Sequence, residues 1–575
     1  MSAKLSGLKG LFQPLLPILW PVLGFSAVFN VLLLSGSFFM LLVYDDVLAS
    51  RSVPTLAGLL LMVAVAYAFQ AALDIIRNRV LFHSGAMADR QLSARVYDVL
   101  SRFGSEAGRL PSGAAPVRDL DMVRNYIAGP GPLALLDLPY VAMFLVILTM
   151  FHWALGLTAL VGALALILLM AVSAKLTNEP ARDAATMSGL RFSMAEDIRR
   201  RSETIRVLGM GERRRAAWDE ANQHLLTAQD RLSEISGRMQ GISKTFRQFL
   251  QSLMLAVGAL LVIEGEATGG IIVAGSILGA RALMPVEQTI AHWKSMVDAR
   301  QALERLAALQ QAVPQEYAPM PLPRPKESLE VQQLTSRPPG MKAVTLANVN
   351  FRLNAGEALA VIGHSGSGKS TLMRSIVGAW QPLRGSVRLD GAALDQWSPA
   401  DLGRDIGYVS QRIELFEGTI GQNIARFDPA ADPEAIIAAA RQAGVHEMIV
   451  ALPGGYDYQL GPGGDGLSEG QQQRLALARA LYGDPFLIVL DEANSNLDAQ
   501  GEQALAQAVL RAKERGAIVI IVGHRPSVFA HVDHILVMAG GEARQMGPRD
   551  EMLKMLGLLR VPAAANDGPR AAAAG

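Results

Sequence analysis

The chain has 575 residues, 50% of them hydrophobic and 18% charged, with a mean hydropathy of +0.25. Charged residues make up about a quarter of an ordinary soluble chain, so this deficit excludes a disordered chain and points away from a purely soluble one. The absence of cysteine rules out disulfides, thiolate metal sites and cysteine nucleophiles, and a net charge of +1 gives no global attraction for nucleic acid.

That neutrality combines two unlike parts. Residues 1–312 carry 29 Lys and Arg against 24 Asp and Glu, and the remainder carries 24 against 28. The basic part also holds the long apolar runs. A spanning helix needs about 20 mostly apolar residues. Pro21–Val43 and Thr55–Leu73 meet that requirement without a charge. Leu138–Ala174 is uncharged but too long for one span; with His152, Trp153 and Gly156 near its middle, it reads as a tight hairpin of two helices. Gln248–Ile263 and Ala267–Val286 complete a set of six, the last interrupted by Arg281. An ionisable group at that depth lines a pathway, pairs structurally or marks a misplaced span boundary.

Loop charge sets the orientation. The stretch after the second span carries Arg77, Arg79, Arg90, Arg95, Arg102, Arg109, Arg118 and Arg124, and the stretch after the fourth carries the triplets Arg199–Arg201 and Arg213–Arg215. The opposite connections are short, with Arg51 their one basic residue. Both termini are therefore expected in the cytoplasm. The two basic stretches are poor in Pro and Gly and should continue the membrane helices into the cytoplasm as solvated faces. Lys4 and Lys9 precede the first apolar run, but no small-residue cleavage site comes before Tyr44, so the run reads as an uncleaved anchor.

We expect a cytoplasmic segment over 1–20, a transmembrane domain over 21–312, a linker over 313–340 that includes a first edge strand, a soluble domain over 341–560 and a disordered tail over 561–575. The linker is Pro-rich. In the soluble domain the apolar run Glu357–Ile362 leads at once into Gly363-His364-Ser365-Gly366-Ser367-Gly368-Lys369-Ser370-Thr371 and then a helical segment. This is a phosphate-binding loop in its strand–loop–helix setting. Glycines let successive backbone N–H groups turn inward around phosphate oxygens, and the helix N-terminus adds its positive end. Lys369 can reach β- and γ-phosphates, and the Ser370 hydroxyl can coordinate Mg²⁺.

A five-residue apolar run, Phe486–Leu490, ends in Asp491-Glu492. A wholly apolar strand belongs inside a parallel sheet covered on both faces, and α/β sites lie at the carboxyl ends of such strands. Asp491 suits Mg²⁺ through water, and Glu492 suits a general base for the attacking water. An acidic pair alone caps a helix about as often; beside a phosphate loop it reads as catalytic. A third apolar strand, Ile518–Val522, leads to His524, which would end beside the other two. Gln411, after Ile406–Ser410, carries no signal by itself.

Leu467-Ser468-Glu469-Gly470-Gln471, followed by QQRLALARAL, resembles the signature motif of ABC-transporter ATPases. The resemblance implies further roles. Ser468, Gly470 and Gln471 bind nucleotide held by a second chain. Gln411 is the Q-loop glutamine and a Mg²⁺ contact, Ser495-Asn496-Leu497-Asp498 the D-loop, and His524 the switch histidine that stabilises the γ-phosphate with Lys369. It implies a six-helix α-helical transmembrane domain followed by an α/β P-loop nucleotide-binding domain, ATP and Mg²⁺ as ligands, and a homodimer. Short coupling helices are expected near Val117–Val123 and Ile205–Gly211.

Tyr44-Asp45-Asp46-Val47-Leu48, the Gly279–Glu287 segment, Leu415–Ile424 and DEANSNLD are similar to type I secretion ATPases, in the protease-, lipase- and S-layer-exporting branch that lacks an N-terminal peptidase-like domain. That branch implies a bacterial inner-membrane location, a periplasmic adaptor (membrane fusion protein), an outer-membrane channel, and unfolded polypeptide cargo with a C-terminal signal; it implies no nucleic acid. A lipid or drug exporter of the same fold is the alternative, and a scaffold with negligible turnover a further one. Three departures stand out: Glu469 where the family has Gly, Pro338 at the adenine-stacking position, and Gly461-Pro462 where an acidic residue usually follows the glycine, with Asp465 as the nearest substitute.

Overall fold

A computed structural model describes residues 16–106, 115–313, 321–495, 497–523 and 529–557. The expected N-terminal segment, apart from its last residues, and the tail 561–575 lie outside them, as does 314–320 of the linker. The chain divides into two compact units, one of residues 1–103 and 110–314 and one of residues 104–109 and 315–575.

The first unit is helical. Its elements are α1 (Leu16–Leu32), α2 (Leu34–Leu42), α3 (Val53–Glu106), α4 (Pro116–Ile127), α5 (Gly131–Asp137), α6 (Tyr140–Phe151), α7 (Trp153–Arg200), α8 (Ser202–Val207), α9 (Gly211–Ile263), α10 (Gly269–Ala291) and α11 (Trp293–Ala312). Among the described residues five helical stretches are long and apolar enough to cross a membrane. The bent pair α5 and α6, at 43° to each other, makes a sixth. The 54 residues of α3 span roughly 80 Å at ~1.5 Å per residue, far beyond a hydrocarbon layer of about 30 Å. The 48 residues of α7 and 53 of α9 likewise overrun it.

The hairpin forms where the sequence places it. His152 is extended (φ −164°, ψ 138°) and its Nδ1 accepts the Ala154 N–H, capping α7. Gly156 permits the close return: a Cβ there would come 2.1 Å from Thr149 Oγ1. The third span departs from expectation. It begins at Gly131, before the charge-free run, and bends at Leu138-Pro139. Asp137 is therefore inside the bundle. It pairs with Arg77 (3.1 Å), which is 3% exposed, and accepts from Asn30 at 2.9 Å. Arg77 also donates to Ser26 and lies over the Phe29 ring. Charge alone ended the expected span; its partners on α1 and α3 are what make the charge tolerable.

The guanidinium of Arg281 donates to the Leu33 carbonyl at the break between α1 and α2. At the start of α10, Asp45 accepts from Thr268 Oγ1 (2.6 Å) and the Gly270 N–H (2.8 Å), and His152 lies 3.2 Å from Glu266. Of the two stretches expected to form short helices, Val117–Val123 lies wholly within α4, whereas α8 (Ser202–Val207) includes only the start of Ile205–Gly211 and a turn follows it. Asp119 on α4, 2% exposed, holds Arg305 of α11 in a two-pronged ion pair at 2.6 and 3.0 Å.

The second unit is α/β. Its strands are β1 (Ser328–Ser336), β2 (Leu346–Asn354), β3 (Ala358–Ile362), β4 (Arg384–Leu389), β5 (Ala392–Ala393), β6 (Ile406–Val409), β7 (Gly418–Thr419), β8 (Gln459–Leu460), β9 (Leu487–Asp491), β10 (Ile518–Val522), β11 (His534–Ala539) and β12 (Glu542–Pro548). An antiparallel sheet has the order β2-β1-β4-β5, so β1 is internal and not the edge strand expected within the linker. Its Leu329, Val331 and Leu334 are buried. The main sheet has the order β12-β11-β3-β10-β9-β6, parallel except for β12. Both its faces are covered. Leu487, Val489, Ile518 and Ile520 pack with α12 (Lys369–Ile376) and the antiparallel sheet; Ile488, Leu490, Val519 and Ile521 pack with α17 (Glu469–Leu481) and α18 (Ala499–Glu514). Short helices α13 (Pro399–Asp405), α14 (Ile420–Ile424), α15 (Pro433–Gln442) and α16 (His446–Ala451) fill the intervening chain, and α19 (Arg549–Met555) ends the unit.

Candidate active site

Register brings the sequence-predicted residues to one sheet edge. Val522 pairs with Asp491 on one side and Val361 on the other, while Val409 pairs with Leu490. The carboxyl ends of β3, β10, β9 and β6 therefore lie together, and they lead into Gly363, residue 523, Glu492 and Gln411 respectively. His524 itself lies outside the described residues.

The phosphate loop runs from Gly363 to Ser370. Gly366 (φ +80°) and Gly368 (φ +96°) occupy the left-handed region, and a Cβ on Gly368 would come 2.7 Å from the Thr345 carbonyl. Thr345 braces the loop from the side, with its hydroxyl 3.2 Å from that of Thr371. Lys369, 6% exposed, extends its ammonium across the loop to the carbonyls of Gly363 (2.7 Å) and His364 (3.0 Å). His364, Ser365 and Gly366 form the exposed lip, and Ser367 is buried with a hydroxyl that has no hydrogen-bond partner.

Asp491 is fully buried, and burial pushes its carboxyl above the ordinary aspartate value; the hydrogen bond from Ser370 opposes that shift. Ser370 Oγ lies 3.4 Å from Asp491 Oδ1, and Asp491 Oδ2 has no partner. A buried, unsatisfied carboxylate oxygen next to a hydroxyl at a phosphate loop is a donor set that suits Mg²⁺ held jointly with phosphates.

Glu492 has φ +58°. Its N–H donates to Val522 O (3.1 Å), and its Oε2 accepts from Gln411 Nε2 (3.0 Å). The structure thus joins the isolated Gln411 to the acidic pair. Ser468 and Gln471 form a capping box on α17: Ser468 Oγ accepts from the Gln471 N–H and Gln471 Oε1 from the Ser468 N–H (2.8 Å). Gly470 sits in that first turn, and Glu469 beside it is exposed. Asp498 caps α18, accepting the Gly501 N–H at 2.8 Å. Two contributors carried no sequence signal: Thr345, a strand-edge threonine, and Gln473, one of three consecutive glutamines, whose Nε2 lies 3.3 Å from the Glu492 carbonyl.

Comparison with known proteins gives the family. Residues 20–284 match the family model described as "ABC transporter transmembrane region", and residues 346–495 that described as "ABC transporter". The chain is 48% identical to the type I secretion system ATP-binding protein PrsD of Rhizobium meliloti (strain 1021), over 92% of this chain and 91% of that protein. It is 32% identical to the cyclolysin secretion/processing ATP-binding protein CyaB of Bordetella pertussis, over 93% of this chain and 76% of that protein. A solved bacterial Atm1-family ABC exporter with ATP bound shares the fold, with a TM-score of 0.81 at 23% identity over 94% of this chain and 97% of that one. The chain belongs to the ABC transporters, among the type I secretion system ATP-binding proteins.

Proposed function

We propose that two copies of this chain form a homodimer that hydrolyses ATP and drives an unfolded polypeptide across the bacterial inner membrane, as the ATPase and permease of a type I secretion system. The observation that carries this reading is the convergence of the phosphate loop, Asp491, Glu492 and Gln411 on one sheet edge. They occur in a chain that also holds the membrane spans. The likeness to PrsD along nearly its whole length supports the secretion assignment.

Each residue then has a task. Backbone N–H groups of Gly363–Ser370 and the Lys369 ammonium cradle the phosphates and offset charge developing on the γ-phosphoryl group. Glu492 orients and deprotonates the attacking water, and the Gln411 amide fixes its carboxylate. Ser370, Asp491 and Gln411 would hold Mg²⁺, which when bound neutralises phosphate charge. His524 completes the γ-phosphate contacts. One chain carries one phosphate loop and one signature helix, so ATP on one chain is closed over by Ser468, Gly470 and Gln471 of the second, with Asp498 nearby; two-fold symmetry gives two such sites. The helices α4 and α8 couple this closure to the spans. The nucleotide-binding domain, taken as 341–560 with its linker over 313–340, lies in the cytoplasm, and the spans within 21–312 sit in membrane lipid. A periplasmic adaptor and an outer-membrane channel continue the route, and the cargo enters by a C-terminal signal.

The test is made on the full chain in lipid nanodiscs. Lys369→Ala and Glu492→Gln should each abolish ATP hydrolysis, while Glu492→Gln with Mg·ATP should be dimeric by mass. Undiminished turnover in Glu492→Gln, or turnover from a monomer, contradicts the reading.

A further inference from the structure

We infer that Gln473 is a positioning residue that ties the signature helix to the general base of its own chain, an inference that deepens the reading above and rests on it. Three consecutive glutamines open α17, and each has a different partner. Gln471 closes the capping box with Ser468. Gln472 Nε2 donates to the carbonyls of Gly464 and Leu467, both at 3.1 Å, and so holds the loop that enters the helix. Gln473 is 3% exposed and turns into the domain, where its Nε2 lies 3.3 Å from the Glu492 carbonyl and 3.5 Å from Ser495 Oγ. Successive helical residues point about 100° apart, so this one turn grips its cap, its entry loop and Glu492 together.

Glu492 is the residue that gains from such a grip. Strand β9 ends at Asp491, and the next residue turns back with φ +58°, a left-handed conformation that side-chain-bearing residues adopt under strain. Such a backbone persists only where its surroundings over-determine it. Here the Glu492 N–H is held by Val522 O, and the Glu492 carbonyl accepts from both the Ser495 N–H (3.2 Å) and Gln473. The turn in turn aims the carboxylate at Gln411. Removing Gln473 leaves the carboxylate present but its direction less constrained.

The placement has a consequence for the dimer. The head of α17 closes over ATP held by the second chain, while Gln473, within the first two turns of the same helix, holds the Glu492 that acts on ATP bound to its own chain. Movement of one helix upon closure at one site therefore bears on the base at the other. This is a physical link between the two sites that runs through a single rigid element.

The full chain in nanodiscs tests this. Gln473→Met keeps the side chain's length and removes its donor. We expect kcat for ATP hydrolysis to fall about tenfold, the worth of one positioning hydrogen bond, with KM for ATP within about twofold and the melting temperature unchanged. Gln473→Asn, which keeps the amide but shortens its reach, should behave alike and serves if the methionine variant does not fold. Wild-type kcat in either variant, or loss that follows KM or melting temperature alone, overturns the inference. Glu492→Gln is measured alongside. If it is inactive while the Gln473 variants are normal, only the inference fails; if it turns over normally, the assignment of the base fails.

Discussion

Asp137→Ala should destabilise the membrane unit strongly. Arg77 is buried, and Asp137 is its buried partner; removal leaves a guanidinium deep in the bundle with Asp74, 3.0 Å away and half-exposed, the Ser26 hydroxyl and the face of the Phe29 ring. Breaking a buried pair by deleting one member costs about 3–5 kcal/mol. The surviving contact with Asp74 places the expectation near the lower bound, about 3 kcal/mol. Asn30 keeps its bond to the Ser26 carbonyl and adds little to the loss. At roughly 2–4 °C per kcal/mol, melting should drop by roughly 6–12 °C. The assay is thermal unfolding of purified full chain in one detergent, compared with Arg77→Met/Asp137→Leu, which removes both charges and should recover most of the loss. A single variant that melts with the wild type, or a double variant no better than the single, would refute the reasoning.

Three further outcomes are expected. Burial raises the Asp491 carboxyl above its ordinary value. Between the unfolded and folded values the folded site holds a proton that the unfolded chain has lost, so this group favours folding as pH falls, whereas Mg²⁺ needs the carboxylate. As pH falls, the Mg²⁺ dependence of ATP binding should weaken more steeply in the wild type than in Asp491→Asn, which keeps only the pH dependence of Mg·ATP itself; identical profiles argue against a metal role. Ser468→Ala removes a helix cap, should cost about 1 kcal/mol, and should speed amide exchange at Glu469–Gln472; unaltered exchange contradicts the capping box. Pro338 lies in a turn closed by the Met341 N–H, with Gly340 at φ +77°. Pro338→Tyr should lower KM for ATP by about tenfold if a ring there stacks on the base, since such stacking is worth about 1–3 kcal/mol; no change would place the base elsewhere.

Much of the fold was legible because its signals are local. Charge-free runs mark spans, and His152 with Gly156 marks the hairpin. The wholly apolar runs Phe486–Leu490 and Ile518–Val522 betray a sheet covered on both faces. The phosphate loop and Asp491-Glu492 were legible for the same reason: their chemistry is packed into consecutive residues. What escaped depends on tertiary partners. Asp137 ended a span in the sequence, yet Arg77 and Asn30 from distant helices carry it inside. The pairing of β1 with both β2 and β4 follows from chain order in space, which a Pro-rich neighbourhood conceals. Gln411 carried no signal of its own and had a role only through the family resemblance; its contact with Glu492, 81 residues away, is what the fold adds, and Gln473 looked like its neighbours until its side-chain direction was known. The contact of Arg281 with the Leu33 carbonyl likewise depends on a distant helix and has no sequence signal.

The central claim is that ATP hydrolysed by this chain exports polypeptide. Its most direct measurement is the extracellular protein profile of a strain whose own copy carries Glu492→Gln, expressed at wild-type level. The account predicts that at least one secreted polypeptide disappears from the medium and accumulates in the cell while the variant still binds ATP. An extracellular profile identical to the wild type, in a strain with no ATP turnover from this chain, would contradict it.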